Sequence, residues 1–164
     1  MSRNVRKMQC TPEDVFRVLS DGWLYPGWVV GASRMRAVAA EWPATGATLQ
    51  HSFGVWPILT NDETVIEHID PPRQCVLRAK GWPIGVARVV IDVKPHPDGS
   101  LVRIQEEAIA GPGRLVPRMV MDALLHWRNA ETLHRLAFLA EGLASADGSG
   151  RTADDEGADA ESGG

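Results

Sequence analysis

Residues 86–110, VARVVIDVKPHPDGSLVRIQEEAIA, decide the fold. Ala87, Val89, Ile91 and Val93 fall on one side of an extended chain, with Arg88, Asp92 and Lys94 on the other; Val102 and Ile104 oppose Arg103 and Gln105 in the same way. Alternation with a period of two marks strands with one wet face and one packed face. Between the two runs stands Asp98-Gly99, a dipeptide that favours a tight hairpin turn. The stretch therefore reads as an antiparallel hairpin whose inner face needs a covering layer.

Working outward, the same pattern recurs. Strand-like runs cover Ser33 to Trp42, Thr48 to Trp56, Glu63 to Ile69 and Gln74 to Trp82, each closed by Pro, Gly or Asn-Asp turn signals. With the hairpin they make six strands at spacings of about 10 to 15 residues and no helix between them, an antiparallel meander. Asn4 to Cys10 alternates weakly and predicts a first strand. Thr11-Pro12-Glu13-Asp14 then predicts a helix start: a hydroxyl to cap, proline in the first turn, and acids against the helix dipole. Val15, Phe16, Val18 and Leu19 give that helix its apolar side until Asp21-Gly22. The segment Trp23 to Gly31 holds three of the ten aromatic residues and reads as a short helix or ordered loop closing one end of the core.

After Gly111-Pro112-Gly113, Pro117 favours a helix from Arg118 to Gly142, the one element long enough to cover the sheet. It carries two apolar stripes. Leu125, Leu133, Leu136 and Ala140 are assigned to the sheet; Val116, Val120, Ala123, Trp127 and Ala130 are assigned to the aromatic segment or to a partner subunit. The expected class is α+β: a curved antiparallel sheet of about seven strands wrapped around a long C-terminal helix, with two short helices after the first strand and a cavity between sheet and helix.

Composition bounds the function. At 164 residues, 44% hydrophobic and 23% charged, the chain suits one domain with a real core. The formal charge of −4 comes from the end of the chain: without the six acids and single base of residues 144–164, 16 basic and 15 acidic residues remain. A near-neutral body lacks the basic footprint of a nucleic-acid binder. Residues 144–164, rich in Gly, Ala and Asp, are expected to form a disordered tail beyond a domain of residues 1–143. Cys10 and Cys75 lack metal-type spacing and read as reduced core residues. Neither a signal peptide nor an apolar run of about 20 residues is evident, so a cytoplasmic protein without membrane insertion is expected.

The order of elements resembles the helix-grip fold of the SRPBCC (START/Bet v 1-like) superfamily, in particular bacterial members of the polyketide cyclase/dehydrase-like family. The matching stretches are Trp23 to Ala32 (WLYPGWVVGA), Gly54 to Pro57 (GVWP), Glu106 to Pro112 (EEAIAGP) and Arg128 to Leu136 (RNAETLHRL). The resemblance spans roughly residues 3 to 143 and implies a ligand-binding cavity. It does not specify the activity, since the superfamily includes carriers, receptors and enzymes.

Motifs for nucleophilic, nucleotide or metal chemistry are absent. No G-x-S-x-G, P-loop, dinucleotide glycine fingerprint or H-E-x-x-H occurs, and His126 and His134 lie about 80° apart around their helix. No cofactor or metal is expected. His51 alternates with Leu49, Phe53 and Val55, which puts an ionisable ring on an inward face; it is either hydrogen-bonded within the core or oriented toward a ligand. Glu106 follows Val102 and Ile104 at spacings of two and points inward, where a carboxylate needs a partner. His51, Arg128 and Asn129 are the candidates, and either a helix-to-sheet salt bridge or a ligand contact fits. Asn129 lies between Leu125 and Leu133, as a backbone anchor or a polar spot in the cavity. Trp28, Trp56 and Trp82 adjoin Pro or Gly and either rim the cavity or fill the core. Arg78, Lys80, Arg88 and Arg103 read as the wet sheet face.

These readings predict a cavity for a small hydrophobic molecule such as a lipid, terpenoid or polyketide, with His51, Trp82, Glu106 and Asn129 as ligand-binding residues and His51 coupled to Glu106. The alternatives are a cyclase/dehydratase-type enzyme using an inward acid-base pair, and a protein-interaction module, a homodimer included, built on the Trp127 stripe.

Overall fold

The structure, a computed structural model, describes residues 2–55, 58–81, 85–111 and 117–158. Strand β1 (Ser2–Met8) is followed by helix α1 (Pro12–Ser20), a 3₁₀ turn (Gly22–Leu24) and the single-turn helix α2 (Tyr25–Trp28). Six strands follow: β2 (Ala32–Val38), β3 (Thr48–Val55), β4 (Ile58–Asp70), β5 (Gln74–Gly81), β6 (Gly85–His96) and β7 (Gly99–Ala110). Helix α3 (Arg118–Ala158) ends the described chain. The strands form one antiparallel sheet in the order β1-β7-β6-β5-β4-β3-β2, so the first strand docks on the last and the rest is a meander.

Local chemistry accounts for the elements. Thr11 caps α1 through its hydroxyl, which accepts from the Asp14 amide while Asp14 accepts from the Thr11 amide, a reciprocal capping box. The β6–β7 hairpin pairs Val89 with Glu106, Ile91 with Ile104 and Val93 with Val102, which stacks the inward residues of the two strands. Its turn uses Gly99 at φ +131, where an added Cβ would meet the Met8 carbonyl oxygen at 2.3 Å. Only glycine allows that turn to press against β1.

The core lies between the inner sheet face and α1, α2 and α3. Leu125, Leu133, Leu136 and Ala140 of α3 are buried, as the Leu-rich stripe predicts, with Val15, Val18, Ile91, Val102 and Ile104 opposite. Each fully buried aliphatic side chain contributes about 1.5–3 kcal/mol of transfer free energy. Polar ties fix the helix in place: Asn4 Nδ2 donates to the His126 carbonyl at 2.9 Å and the Gln9 amide to Glu141 at 2.8 Å. Cys10 and Cys75 are buried and unpaired.

Four expectations change. Strand β4 begins at Ile58, so Asn61 and Asp62, expected as a turn before a strand at Glu63, pair instead with Ser52 and His51. The second stripe of α3 does not pack on the aromatic segment: Trp127 is 64% exposed, Val120, Ala123 and Ala130 are exposed too, and Val116 lies outside the described residues. The helix does not stop at Gly142. Leu143 and Ala144 continue the apolar face onto the core, and Arg17 of α1 reaches Asp147, so the cost of one glycine, about 1 kcal/mol, is offset. Strand β2 ends at Val38 rather than Trp42, whose indole instead turns back to donate to the Leu19 carbonyl at 3.3 Å.

Candidate functional site

Between the sheet and α3 lies a pocket whose walls come from six elements. Tyr25 and Trp28 come from α2, His51 and Phe53 from β3, Leu77 and Lys80 from β5, Gly85 and Val89 from β6, Ile104 and Glu106 from β7, and Arg128, Asn129 and Thr132 from α3. The pocket has a volume of about 50 Å³, room for a few water molecules or a small organic group; a bulky guest must extend into the mouth or spread the walls.

The wall is apolar except at a few points, and strand alternation sets these. On β3, Leu49 and His51 are buried on one face, with Phe53 partly so. On β7, Ser100, Val102, Ile104 and Glu106 are buried at every second position. The Phe53 ring packs against Gly31, whose φ of +98 and missing Cβ allow the contact; a Cβ there would sit 2.4 Å from the ring.

His51 is 1% exposed. Its Nε2 lies 3.1 Å from Thr64 Oγ1, and the same hydroxyl lies 2.9 Å from Tyr25 Oη. The Tyr25 and His51 rings face each other at 5.0 Å, and Trp28 meets Tyr25 edge-on at 5.3 Å. Burial lowers the His51 pKa and Arg36 adds to this, against the opposing pull of Asp62, its cross-strand neighbour, and of the Ser52 backbone. Burial is also the main reason that the Tyr25 hydroxyl is pushed up to about 12. Both rings are therefore neutral near pH 7.

Glu106, 2% exposed, takes a hydrogen bond from Arg128 on its Oε1, forming a salt bridge between β7 and α3. The predicted His51–Glu106 pair is not formed. In the sheet β4, β5 and β6 stand between β3 and β7, and at about 4.8 Å per strand that is roughly 19 Å along the sheet. Curvature puts the two residues on opposing walls of one pocket, and the carboxylate takes the nearby guanidinium.

Among the described residues, five buried side-chain atoms find no hydrogen-bond partner within the protein: Trp28 Nε1, His51 Nδ1, Ser100 Oγ, Glu106 Oε2 and Asn129 Nδ2. Four of the five belong to residues that line this pocket. Buried polar groups are ordinarily satisfied, so a cluster of exceptions around one cavity marks a place where something else supplies the partners.

Of the residues singled out by sequence, His51, Glu106 and Asn129 meet at this pocket, while Trp82 and Trp56 lie outside the described residues. Trp28 is on the wall, and Lys80 sits at the rim with a bond to Glu63 at 3.3 Å. Tyr25 and Thr64 were missed. Thr64 was findable, since Asp62, Thr64 and Ile66 alternate inward on β4. Burial pushes the Cys75 thiol up to about 12, and burial with Asp14 and Glu141 nearby pushes the Cys10 thiol up to about 11, so neither is a ready nucleophile. The described residues contain no cluster of three metal-ligating side chains, and no helix long and apolar enough to cross a membrane.

Comparison with known proteins agrees with this geometry. The sequence pattern of one family, described as polyketide cyclase / dehydrase and lipid transport, matches residues 3–141. Among solved structures, protein NE0264 of Nitrosomonas europaea superposes with a TM-score of 0.67 at 16% identity, covering 87% of this chain and 95% of that one. Protein CV1439 of Chromobacterium violaceum gives 0.65 at 18% identity, covering 85% and 96%. The di-domain aromatase/cyclase StfQ of the steffimycin biosynthetic pathway gives 0.66 at 14% identity over 87% of this chain; the match spans about half, 51%, of StfQ. Likeness at such identities is a likeness of fold. No curated protein matches the chain.

Proposed function

Since the chain belongs to the polyketide cyclase / dehydrase and lipid transport family, we propose that it binds a small, largely apolar molecule in the pocket between the sheet and α3. The observation that carries this reading is the pocket's composition: an apolar wall interrupted by Trp28, His51, Glu106 and Asn129, each with a buried polar atom that finds no partner among the described residues. Apolar area supplies affinity in such sites and a few polar groups fix orientation. A lipid, terpenoid or polyketide-like molecule meets that description. The cyclase/dehydratase reading draws on the same pocket, but it needs an acid and a base that work together. His51 bonds to Thr64 and Glu106 to Arg128, an arrangement that favours holding a guest over moving its protons. The unpaired cysteines support a reducing, cytoplasmic setting.

The test is fluorescence titration with N-phenyl-1-naphthylamine, together with solvent extraction and mass spectrometry of freshly purified protein. Saturable binding of one probe per chain is expected, lost when Ala87→Phe fills the pocket from β6, where Ala87 lines the wall between Gly85 and Val89, and retained in Trp127→Ser. Absence of saturable binding together with an empty extract would overturn the reading. A second reading rests on exposed apolar side chains of α3, among the described residues Met119, Val120, Leu124, Trp127 and Phe138. Such a face suits a second copy of the chain. Sedimentation velocity across a concentration series tests it, with Trp127→Ser expected to abolish any dimer; a monomer at all concentrations removes this reading.

A further inference from the structure

The polar groups of the pocket carry more than their number. Tyr25 Oη, Thr64 Oγ1 and His51 Nε2 form a chain with spacings of 2.9 and 3.1 Å, and a threonine hydroxyl has one hydrogen to give. If Thr64 donates to His51, then Tyr25 donates to Thr64. Both hydroxyl hydrogens are used, Nε2 is the acceptor, and the imidazole proton sits on Nδ1. If Nε2 carries the proton instead, it donates to Thr64, which either donates to Tyr25 or accepts from it as well. The Nδ1 lone pair and one hydroxyl hydrogen, that of Tyr25 or that of Thr64, are then buried without partners. The first arrangement leaves one unsatisfied group and the second leaves two, so the first is favoured.

With the ring oriented this way, the unsatisfied pocket atoms among the described residues are three donors, His51 Nδ1–H, Trp28 Nε1–H and an Asn129 Nδ2–H, and one acceptor, Glu106 Oε2. The charge of Glu106 is already balanced by Arg128 on Oε1, so the pocket calls for no net charge on its guest. From this we infer that the pocket selects a neutral, mostly apolar molecule that presents a hydrogen-bond acceptor such as a ketone oxygen to the His51 side and a hydroxyl donor to Glu106, with Thr64 as the residue that positions His51. The inference rests on the proposed binding function and narrows it to a hydroxy-ketone type of ligand. A guest that reproduces these hydrogen bonds can displace water from the four groups without loss, whereas an apolar guest of the same shape leaves them unpaired.

Two measurements on the full chain test this. Long-range ¹H–¹⁵N correlation spectra at neutral pH should show His51 as the Nδ1–H tautomer, and Thr64→Val should lose that preference; an Nε2–H tautomer in the wild type would overturn the inference without any ligand. Titrations by NMR would then compare ethylbenzene, 4-ethylphenol, acetophenone and 4-hydroxyacetophenone, which are matched in size. The hydroxy-ketone should bind about tenfold tighter than ethylbenzene, with the two single-function compounds between. Thr64→Val should erase the gain from the ketone and spare the gain from the hydroxyl. Equal binding of all four overturns the polar selection while leaving the binding site intact, and no binding by any of them overturns both.

Discussion

Replacing Arg128 with methionine should be far more damaging than replacing its partner Glu106 with glutamine, and the reason is where each side chain sits. Glu106 is 2% exposed and Arg128 20% exposed. In Arg128→Met the carboxylate stays buried with no counter-charge, a change that costs about 3–5 kcal/mol. In Glu106→Gln the amide oxygen can still accept from Arg128, which reaches water along its exposed fifth, so the loss is about 1–2 kcal/mol. The double variant removes the stranded charge and should unfold near the Glu106→Gln value, well short of the sum of the two single losses. Urea unfolding followed by tryptophan fluorescence and far-ultraviolet circular dichroism measures all four proteins. An Arg128→Met loss below about 1 kcal/mol, or a larger loss from Glu106→Gln than from Arg128→Met, would refute the assignment of this pair as a buried helix-to-sheet bridge.

The remaining expectations concern pH, backbone and chain end. Burial depresses the His51 pKa below its ordinary 6.5; below that pH the unfolded chain binds the proton that the native ring resists. Its stabilisation is therefore full above 6.5 and is lost as pH falls toward the native value. Stability from pH 7.5 to 5 should decline less steeply in His51→Gln than in the wild type, and identical slopes would contradict a buried neutral ring. Gly99→Ala should cost about 1–3 kcal/mol through positive φ and would drive its Cβ into β1; Gly46→Ala, also at positive φ but with nothing within 4 Å, should cost less in the same denaturation assay. Among the described residues, removing the chain after Ser145 takes away the Arg17–Asp147 bridge between half-exposed side chains, and the thermal midpoint should hardly move. A clear drop would mean that the end of α3 is part of the domain.

How much of this was legible in the sequence depends on what kind of information each feature needs. Period-two alternation decides which face a strand residue occupies, and it placed His51 and Glu106 inward correctly; the spacing of Leu125, Leu133 and Leu136 did the same for Asn129 on α3. The Thr11 cap and the Asp98-Gly99 turn were legible because their chemistry is local. Neighbours across the sheet are a different matter. His51 and Glu106 look like a pair only while strand order is ignored, and with β4, β5 and β6 between them each turns to what lies within reach: Thr64 on the next strand, and Arg128 on the helix above. Trp127 shows the same gap from the other side. Its spacing announced an apolar face, but whether that face meets the sheet, α2 or a partner depends on how α3 is rolled, and the burial of Leu133 and Leu136 settled the roll. Inward polar residues thus state in the sequence that partners are required, and the fold decides which protein groups supply them. At Trp28, His51, Glu106 and Asn129 the fold supplies too few, and the shortfall is what distinguishes this cavity from packed core.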